Sequence, residues 1–397
     1  ALANKLYYTA YKTGERKLKG RVEIAEGLTA SAASKRIEKV SFSRATGRGS
    51  YMRNPVQEET AFVTQLSGKN DEEYVENHVK QADGSYRFTK DSTIRYKIPK
   101  IVGEYGAIQA EKDLRIDASG HTLAIETDGQ EEHVKEAAGV LLAHKWNVDI
   151  KADTLSAQVT DTYSAAPLEK GYGVYGALGT LRIKGMTDVT VSGTDISHGV
   201  HADRKSTVTL DGLRAKVRIG AKDAAALYAN DAKISVNVQD GAADSHTVQL
   251  NGNVYTAVTS SHIDVALTNA ESYLKGFAFG DGTLNMWLQN GAAWHNKKLG
   301  SDLPGSYRGS RLTSLVGGVS ADRAGLIFQN ELNPILANQY SGYTRVFYQH
   351  DAATPKNIIG GGLVIDHAAA GSGVTLVTDN AGLNTDSTAE ADVKRVD

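Results

Sequence analysis

A short hydrophobic pattern recurs along the middle of the chain. A small residue is followed by an apolar one, and after a polar gap comes a segment in which apolar and polar residues alternate. The pairs are Gly139-Val140, Gly173-Val174, Gly199-Val200, Ala226-Leu227, Thr247-Val248 and Gly276-Phe277, with intervals of 34, 26, 27, 21 and 29 residues between their second members. Self-similarity at such intervals indicates that one structural unit is repeated.

The alternating segments predict the fold class. They are residues 146–150, 180–183, 207–210 and 233–238. A period of two places Val208 and Leu210 on one face of a strand and Thr207 and Thr209 on the other. Helical periodicity is largely missing. We therefore predict an all-β protein, a single right-handed parallel β-helix, in which each repeat adds a layer of strands at a spacing of ~4.8 Å.

A β-sandwich also contains many short strands and is the structural alternative. It would divide a chain of 397 residues into several domains, and no linker-like composition separates them. Three segments interrupt the repeat and predict excursions from the β-helix. Residues 70–80 have an N-cap residue, early acids and a terminal Lys, which predict a short helix. Residues 130–136 predict a second one, and residues 295–311 an exposed loop.

Composition narrows the function classes. The sequence has 40 Gly, 6 Pro and no Cys, so tight corners are favoured over flexible linkers, and disulfides and thiolate metal sites are excluded. The net charge is −2. Residues 1–105 contain 19 basic and 13 acidic side chains, a balance of +6, which is compatible with polyanion binding. No segment approaches the ~20 apolar residues of a membrane-spanning helix.

Catalytic patterns are weak. Ser372 lies in Gly-Ser-Gly without the preceding Asp of a serine-protease motif. His198 and His201 have the closest spacing of the histidines, but their i, i+3 separation predicts that the side chains diverge. Gly280-Asp281-Gly282 is an isolated turn rather than a calcium-binding repeat. The remaining candidate carboxylates are scattered and predicted to form turns: Asp113, Asp117, Asp149, Asp188 and Asp195.

Basic residues in alternating positions are the candidate binding residues. Side chains two positions apart leave a strand on the same side, so stacked strands could align them into an outward ladder that binds a sulfated glycan or extracellular DNA. The alternative is a solvated outer face that discourages aggregation. The residues are Lys17, Lys19, Arg21, Arg95, Lys97, Arg182, Lys184, Arg214, Lys216 and Arg218.

The last ninety or so residues resemble the C-terminal end of a bacterial autotransporter passenger of the pertactin-like, self-associating adhesin type. Residues 288–294, Leu-Gln-Asn-Gly-Ala-Ala-Trp, resemble the Asn-Gly-Ala-x-Trp turn of that family. Residues 310–318, 338–344, 358–361 and 370–380 resemble the layers that follow it. The resemblance implies a β-helix passenger over residues 1–285, a C-terminal autochaperone-like cap over 286–383, and the start of a linker over 384–397.

The resemblance also implies a function. Such passengers are displayed on the surface of a diderm bacterium, anchored through a C-terminal outer-membrane barrel or secreted. We therefore expect an adhesin without catalytic activity or cofactor, which promotes attachment, aggregation or biofilm formation. Its expected partners are host or bacterial glycans such as glycosaminoglycans, extracellular DNA, or a second copy of the chain. The alternatives are a polysaccharide lyase or hydrolase on the same scaffold, and a structural stalk.

Overall fold

The computed structural model describes most of the chain between residues 78 and 378 and a few short segments outside it. The described residues are 8–10, 18–24, 78–80, 82–97, 106–128, 137–160, 170–192, 194–218, 220–300, 309–329, 334–350, 358–359, 363–378 and 390–391. They form strands, turns and one 3-10 turn, Ala321–Arg323, and contain no α-helix. The all-β class predicted from the alternating pattern is therefore confirmed.

The strands, in chain order, are β1 (Tyr8–Ala10), β2 (Leu18–Ile24), β3 (His78–Lys80), β4 (Tyr86–Phe88), β5 (Ser92–Lys97), β6 (Ile108–Ala110), β7 (Leu114–Asp128), β8 (Ala137–His144), β9 (Asn147–Thr160), β10 (Lys170–Ala177), β11 (Thr180–Val191), β12 (Ile196–Asp203), β13 (Thr207–Val217), β14 (Asp223–Asn230), β15 (Lys233–Val236), β16 (Val238–Gln239), β17 (Ala242–Ala243), β18 (Val248–Asn251), β19 (Asn253–Thr256), β20 (His262–Leu267), β21 (Tyr273–Lys275), β22 (Ala278–Gly280), β23 (Thr283–Leu288), β24 (Ala293–His295), β25 (Ser310–Val316), β26 (Gly325–Gln329), β27 (Ile335–Ser341), β28 (Tyr343–His350), β29 (Ile358–Ile359), β30 (Leu363–Ala368), β31 (Gly373–Thr378) and β32 (Glu390–Ala391).

Most strands pair in parallel, in three stacks. Stack C contains β6, β8, β10, β12, β14, β19 and β22. Stack A contains β4, the first halves of β7, β9, β11 and β13, and then β15, β20, β23, β25, β27 and β30. Stack B contains β5, the second halves of β7, β9, β11 and β13, and then β18, β21, β24, β26, β28 and β31. From β6 to β22 the chain visits stacks C, A and B in a constant order. We call one such round a pass.

The long strands bend where they leave stack A for stack B. In β11 the bend is at Gly185, whose φ of +95° is in the region that favours glycine. A Cβ atom there would lie 1.8 Å from the carbonyl oxygen of Ala152 on β9. The register shifts at the same place. Gly185 therefore lets two neighbouring passes approach closely while the strand changes direction.

The predicted alternation is confirmed in the core. Val208 and Leu210 are buried, whereas Thr207 and Thr209 are partly exposed. One hydrophobic cluster extends from Tyr86 to Leu376 and is built from the inward rows of all three stacks. Since apolar burial contributes ~25 cal/mol per Å², this continuous interior is the main source of stability.

The predicted repeat is correct in its centre and wrong at its ends. Val174, Val200 and Leu227 are aligned neighbours in stack C. The first pair is misplaced by one residue, because Leu141 rather than Val140 aligns with Val174. The last two pairs are wrong as well. Leu227 aligns with Val254, which aligns in turn with Ala278. Val248 lies in stack B, since small-then-apolar pairs also begin strands there.

The structure describes parts of two of the three predicted excursions, and both differ from the prediction. His78–Lys80, the end of the first predicted helix, forms β3 and pairs antiparallel with β4. Cross-strand hydrogen bonding there prevails over the local helix signal. Residues 70–77 and 130–136 lie outside the described residues.

The predicted loop at 295–311 is largely buried at its described ends, although Lys298 and Arg311 are exposed. His295 and Asn296 are buried, Leu299 packs in a small apolar cluster with Val217, and Ser310 begins β25. The hydroxyl of Ser310 donates to Oδ1 of Asn296, a contact between buried side chains that a sequence pattern does not reveal. Residues 301–308 lie outside the described part.

The arrangement changes after β22, the last described strand of stack C. From β23 to β31 the parallel strands belong alternately to stacks A and B. The predicted boundary between residues 285 and 286 falls within β23, close to this change. The division into domains stays a prediction. β1 and β2 pair in parallel with β30 and β31, and β32, within the predicted linker, pairs with β2.

Candidate functional site on the outer face of stack C

The basic residues predicted to form a ladder are in several different rows. Arg182 is aligned with Asp149 and Thr209, and Arg214 is aligned with Asp188 and Gln249. An acidic residue therefore stands directly beside each of these two arginines. Such alternation gives local charge compensation rather than one strong positive row.

The other residues of the predicted basic ladder have mixed neighbours. Lys184 has Lys151 as its neighbour, Lys216 lies between Thr190 and Asn251, and Arg218 forms an ion pair of 3.5 Å with Asp195. Lys19 and Arg21 align with Gly373 and Thr375, while Arg95 and Lys97 align with Glu126 and Asp128; only their backbone is described. Lys17 lies outside the described residues. Ligand binding by these residues stays a prediction.

Two of the scattered aspartates have structural contacts, and Asp117 is a turn former as predicted. Asp117 accepts hydrogen bonds from the backbone N–H and hydroxyl of Ser119, which hold its pKa below the usual value. Asp113 accepts a hydrogen bond from the backbone N–H of Asn147 on the next pass. Ser372 is buried, and its hydroxyl accepts a hydrogen bond from the backbone of Gly342. Asp113 and Ser372 therefore connect layers of the fold, whereas Asp117 stabilises a local turn.

Asp188 differs from Asp113 and Asp117 because it is within a strand, on the outer face of β11. Burial raises its pKa to about 6, and the charge of Arg214 on the next strand opposes that rise only in part. A carboxyl group that titrates near neutral pH beside an arginine is a candidate acid.

A cluster of aromatic and histidine side chains covers the outer face of stack C. It continues along one aligned row through five consecutive strands of the stack, and a second row adds Tyr172 and His198. Adjacent rings stack with centroids 4.2 Å apart for Tyr172 and His201, and 4.4 Å apart for His198 and Tyr228. We call this set the stack C ladder; its members are Tyr172, Tyr175, His198, His201, Tyr228, Tyr255 and Phe279.

The two histidines lie side by side, which contradicts the prediction that their side chains diverge. Gly199 and Val200, between them, both face the interior. A Cβ atom on Gly199 would lie 3.0 Å from the Cβ of the buried Ala215. Two successive inward residues break the alternation, so His198 and His201 leave the strand on the same outer side. The Nδ1 atoms of the two rings are 2.8 Å apart.

Carboxylates hold both ends of the histidine pair. Nε2 of His198 is 2.8 Å from Oδ2 of Asp223, on the neighbouring β14. Nε2 of His201 is 3.2 Å from Oδ2 of Asp203. The Tyr175 hydroxyl is 3.0 Å from that same oxygen. These side chains therefore belong to one hydrogen-bonded chain across three strands.

The electrostatics of this chain follow from burial. Burial lowers the pKa of His201 to about 4, despite the favourable hydrogen bond to Asp203. Burial acts to raise the pKa of Asp203, but hydrogen bonds from His201, Arg204 and Tyr175 outweigh it and hold that pKa below the usual value. Burial and the charge of Asp223 raise the pKa of Tyr228 to about 12.

A signal for the ladder was present in the sequence. The three central small–apolar pairs are each flanked, one residue before and one after, by Tyr172 and Tyr175, by His198 and His201, and by Ala225 and Tyr228. Aligning the repeats on the pairs places these flanking rings in register. Strict alternation of inward and outward residues would hide that relationship.

Comparison of the chain with models of known protein families, with characterised proteins and with solved structures gives no match. Within the described ranges no three His, Asp or Glu side chains are placed to hold a metal ion together. None of the described helical segments has the length and apolar character needed to cross a membrane.

Proposed function

We propose that the chain is a right-handed parallel β-helix from an autotransporter passenger, and that it acts as an adhesin at the surface of a diderm bacterium. The observation that carries the proposal is the long set of parallel stacks. Successive passes present polar side chains on the outer face at the spacing of paired strands, ~4.8 Å. A repeated face of this kind binds an extended partner weakly at each pass and strongly in sum.

The outer face favours a mixed partner over a uniformly charged one. In one row of stack A, Arg115, Asp149 and Arg182 follow one another on successive strands. Glycans with hydroxyl and sulfate groups match such an alternation better than a bare polyanion, which a row of like charges would favour. The other candidate partners are extracellular DNA, matrix proteins and a second copy of the chain. The binding screen described next distinguishes them.

The test is a binding screen of the purified chain against glycans, DNA and matrix proteins, combined with a cell-aggregation assay. A variant with Arg182, Lys184, Arg214 and Lys216 replaced by Gln is compared with a control in which Lys145, Lys205, Lys222 and Lys297 are replaced. We expect sulfated glycans to bind, and at least a tenfold loss in the first variant only. Absence of binding and aggregation by the unmodified chain would contradict the proposal.

A second candidate, a polysaccharide lyase or hydrolase on the same scaffold, is favoured by one observation. Asp188 lies beside Arg214, and burial raises the pKa of this carboxyl group to about 6, so it can donate a proton near neutral pH. Incubation with a polysaccharide panel tests this candidate. Release of new chain ends that Asp188→Asn abolishes would support it, and intact polysaccharides would exclude it for that panel.

A further inference from the structure

The contact between His198 and His201 limits how many protons the pair can hold. Nδ1 of one ring is 2.8 Å from Nδ1 of the other, so a hydrogen must lie between them. Each Nε2 faces a carboxylate oxygen, at 2.8 Å from Asp223 and 3.2 Å from Asp203. Because a carboxylate only accepts, each Nε2 must carry its own hydrogen.

We propose that His198 and His201 share a single proton between their Nδ1 atoms, hold one positive charge between two carboxylates, and open stack C when a second proton binds in acid. Three hydrogens on four ring nitrogens satisfy every contact of the pair. With two hydrogens, an Nε2 lone pair would face a carboxylate or the Nδ1 contact would lack its hydrogen. With four, two N–H groups would point at each other.

The surroundings favour the singly charged pair. The groups that face it are Asp203 and Arg204 at the end of its own strand, Tyr172 and Tyr175 from β10, and Asp223 and Tyr228 from β14. The net charge of this site is zero, since the imidazolium and Arg204 balance the carboxylates of Asp203 and Asp223. Neutrality is favoured where the histidines have little contact with water. The core side behind the pair is apolar and contributes Val174, Val200 and Leu227.

A second proton removes this balance. It would place two imidazolium rings in contact in a site where His198 is 2% and His201 6% exposed. Like charges at that distance, with little water between them, repel strongly. Since burial lowers the pKa of His201 to about 4, the second proton enters as the pH falls from about 6.5 towards 4. The passes that contain β10, β12 and β14 then separate first.

The proton count is measured on the full chain by NMR of ¹⁵N-labelled histidine at pH 7. We expect three protonated ring nitrogens in the pair and one strongly downfield proton that couples to an Nδ1 atom. Two protonated nitrogens, or histidines that titrate independently near pH 6.5, would overturn the shared proton. This measurement needs no variant.

The opening is measured by hydrogen exchange between pH 7 and pH 4, corrected for the intrinsic rate. Protection in β10, β12 and β14 is expected to fall on the order of 100-fold more than in β27 and β30. His201→Gln removes the second titration and should flatten the change. His246→Gln, at a partly exposed histidine paired with Asp244, serves as the control. Uniform loss along the chain, or an unchanged pH response in His201→Gln, would contradict the switch.

Discussion

At the scale of single residues, the ring contacts of the stack C ladder depend on the residues between the rings as well as on the rings themselves. Gly199 occupies the position between His198 and the inward Val200, against the backbone of the next pass. Any side chain there must displace β14 or turn the strand. Either change would separate the two histidines. The absence of a side chain at Gly199 therefore maintains the contact between His198 and His201.

Gly199→Ala tests this role. The added Cβ would lie 2.8 Å from the carbonyl oxygen of Ala226, a backbone atom that cannot rotate away. We expect the free energy of unfolding to fall by about 1–3 kcal/mol, as for overpacked cores. Urea unfolding measures the change. Gly220→Ala is the control, since a Cβ atom on Gly220 would have no other atom within 4 Å; equal effects of both substitutions would refute the argument.

Asp188 gives a pH dependence of the opposite sign to that of His201. Its pKa is about 6 in the folded chain and 3.8 in the reference state, so folding favours the protonated form. The stabilisation is complete below pH 3.8 and is lost as the pH rises through 6. Asp188→Asn should therefore raise the free energy of unfolding at pH 8 by about 1–3 kcal/mol, and by much less at pH 4.

Thermal unfolding of Asp188→Asn at the two pH values measures that difference. Asp240→Asn, in an exposed turn, is the control and should change stability little at either pH. A variant at residue 188 that is equally stable or less stable at pH 8 would show that the buried carboxylate is compensated by its neighbours.

At the scale of elements, the sequence predicts strand alternation well and strand stacking poorly. The inward faces of Val208 and Leu210 follow from the period of two, which is a local property. Val248 was counted as the next copy of the repeat after Leu227, which is wrong because similar pairs begin strands in two stacks. Local periodicity cannot decide which stack a strand joins when the intervals vary, since that depends on pairing across a whole pass.

The same limit explains why the candidate site was missed. The contact between His198 and His201 depends on two successive inward residues, and the contact with Asp223 depends on a neighbouring strand. The alternating basic residues were visible in the sequence, but their lateral neighbours were not. The side chains that share a row follow only from the register of the strands, which places Asp149 beside Arg182 and Asp188 beside Arg214.

Buried polar side chains join the elements where stack C ends. Asn296 donates to Oε1 of Gln329 at 3.0 Å and accepts from the Ser310 hydroxyl at 2.7 Å. Asn296→Leu leaves both partners without this contact, so we expect a loss of about 2–4 kcal/mol in the free energy of unfolding. Chemical denaturation measures it. Gln339→Leu, an exposed amide on β27, is the control; a similar loss there would remove the special role of Asn296.

At the scale of the whole molecule, stability is spread along the stacks. Each strand pairs mainly with the strands of the same stack in the preceding and following passes. The hydrophobic interior nevertheless forms one cluster from Tyr86 to Leu376. Quasi-one-dimensional proteins of this kind couple neighbouring repeats strongly and distant repeats weakly. A local defect should therefore spread over a few passes rather than over the whole chain.

Ile234→Ala in β15 distinguishes local from global coupling. Ile234 is fully buried and aligned with Val208 and Ile263 on the adjacent strands. Its truncation should cost about 2–5 kcal/mol. Hydrogen exchange should accelerate most in β13, β15 and β20 and least in β27 and β30. Thr209→Ala, on the outer face of β13, should leave the profile nearly unchanged. Equal acceleration throughout would mean that the chain unfolds as one cooperative unit, and the acid-sensitive histidine pair would then destabilise the entire molecule rather than stack C.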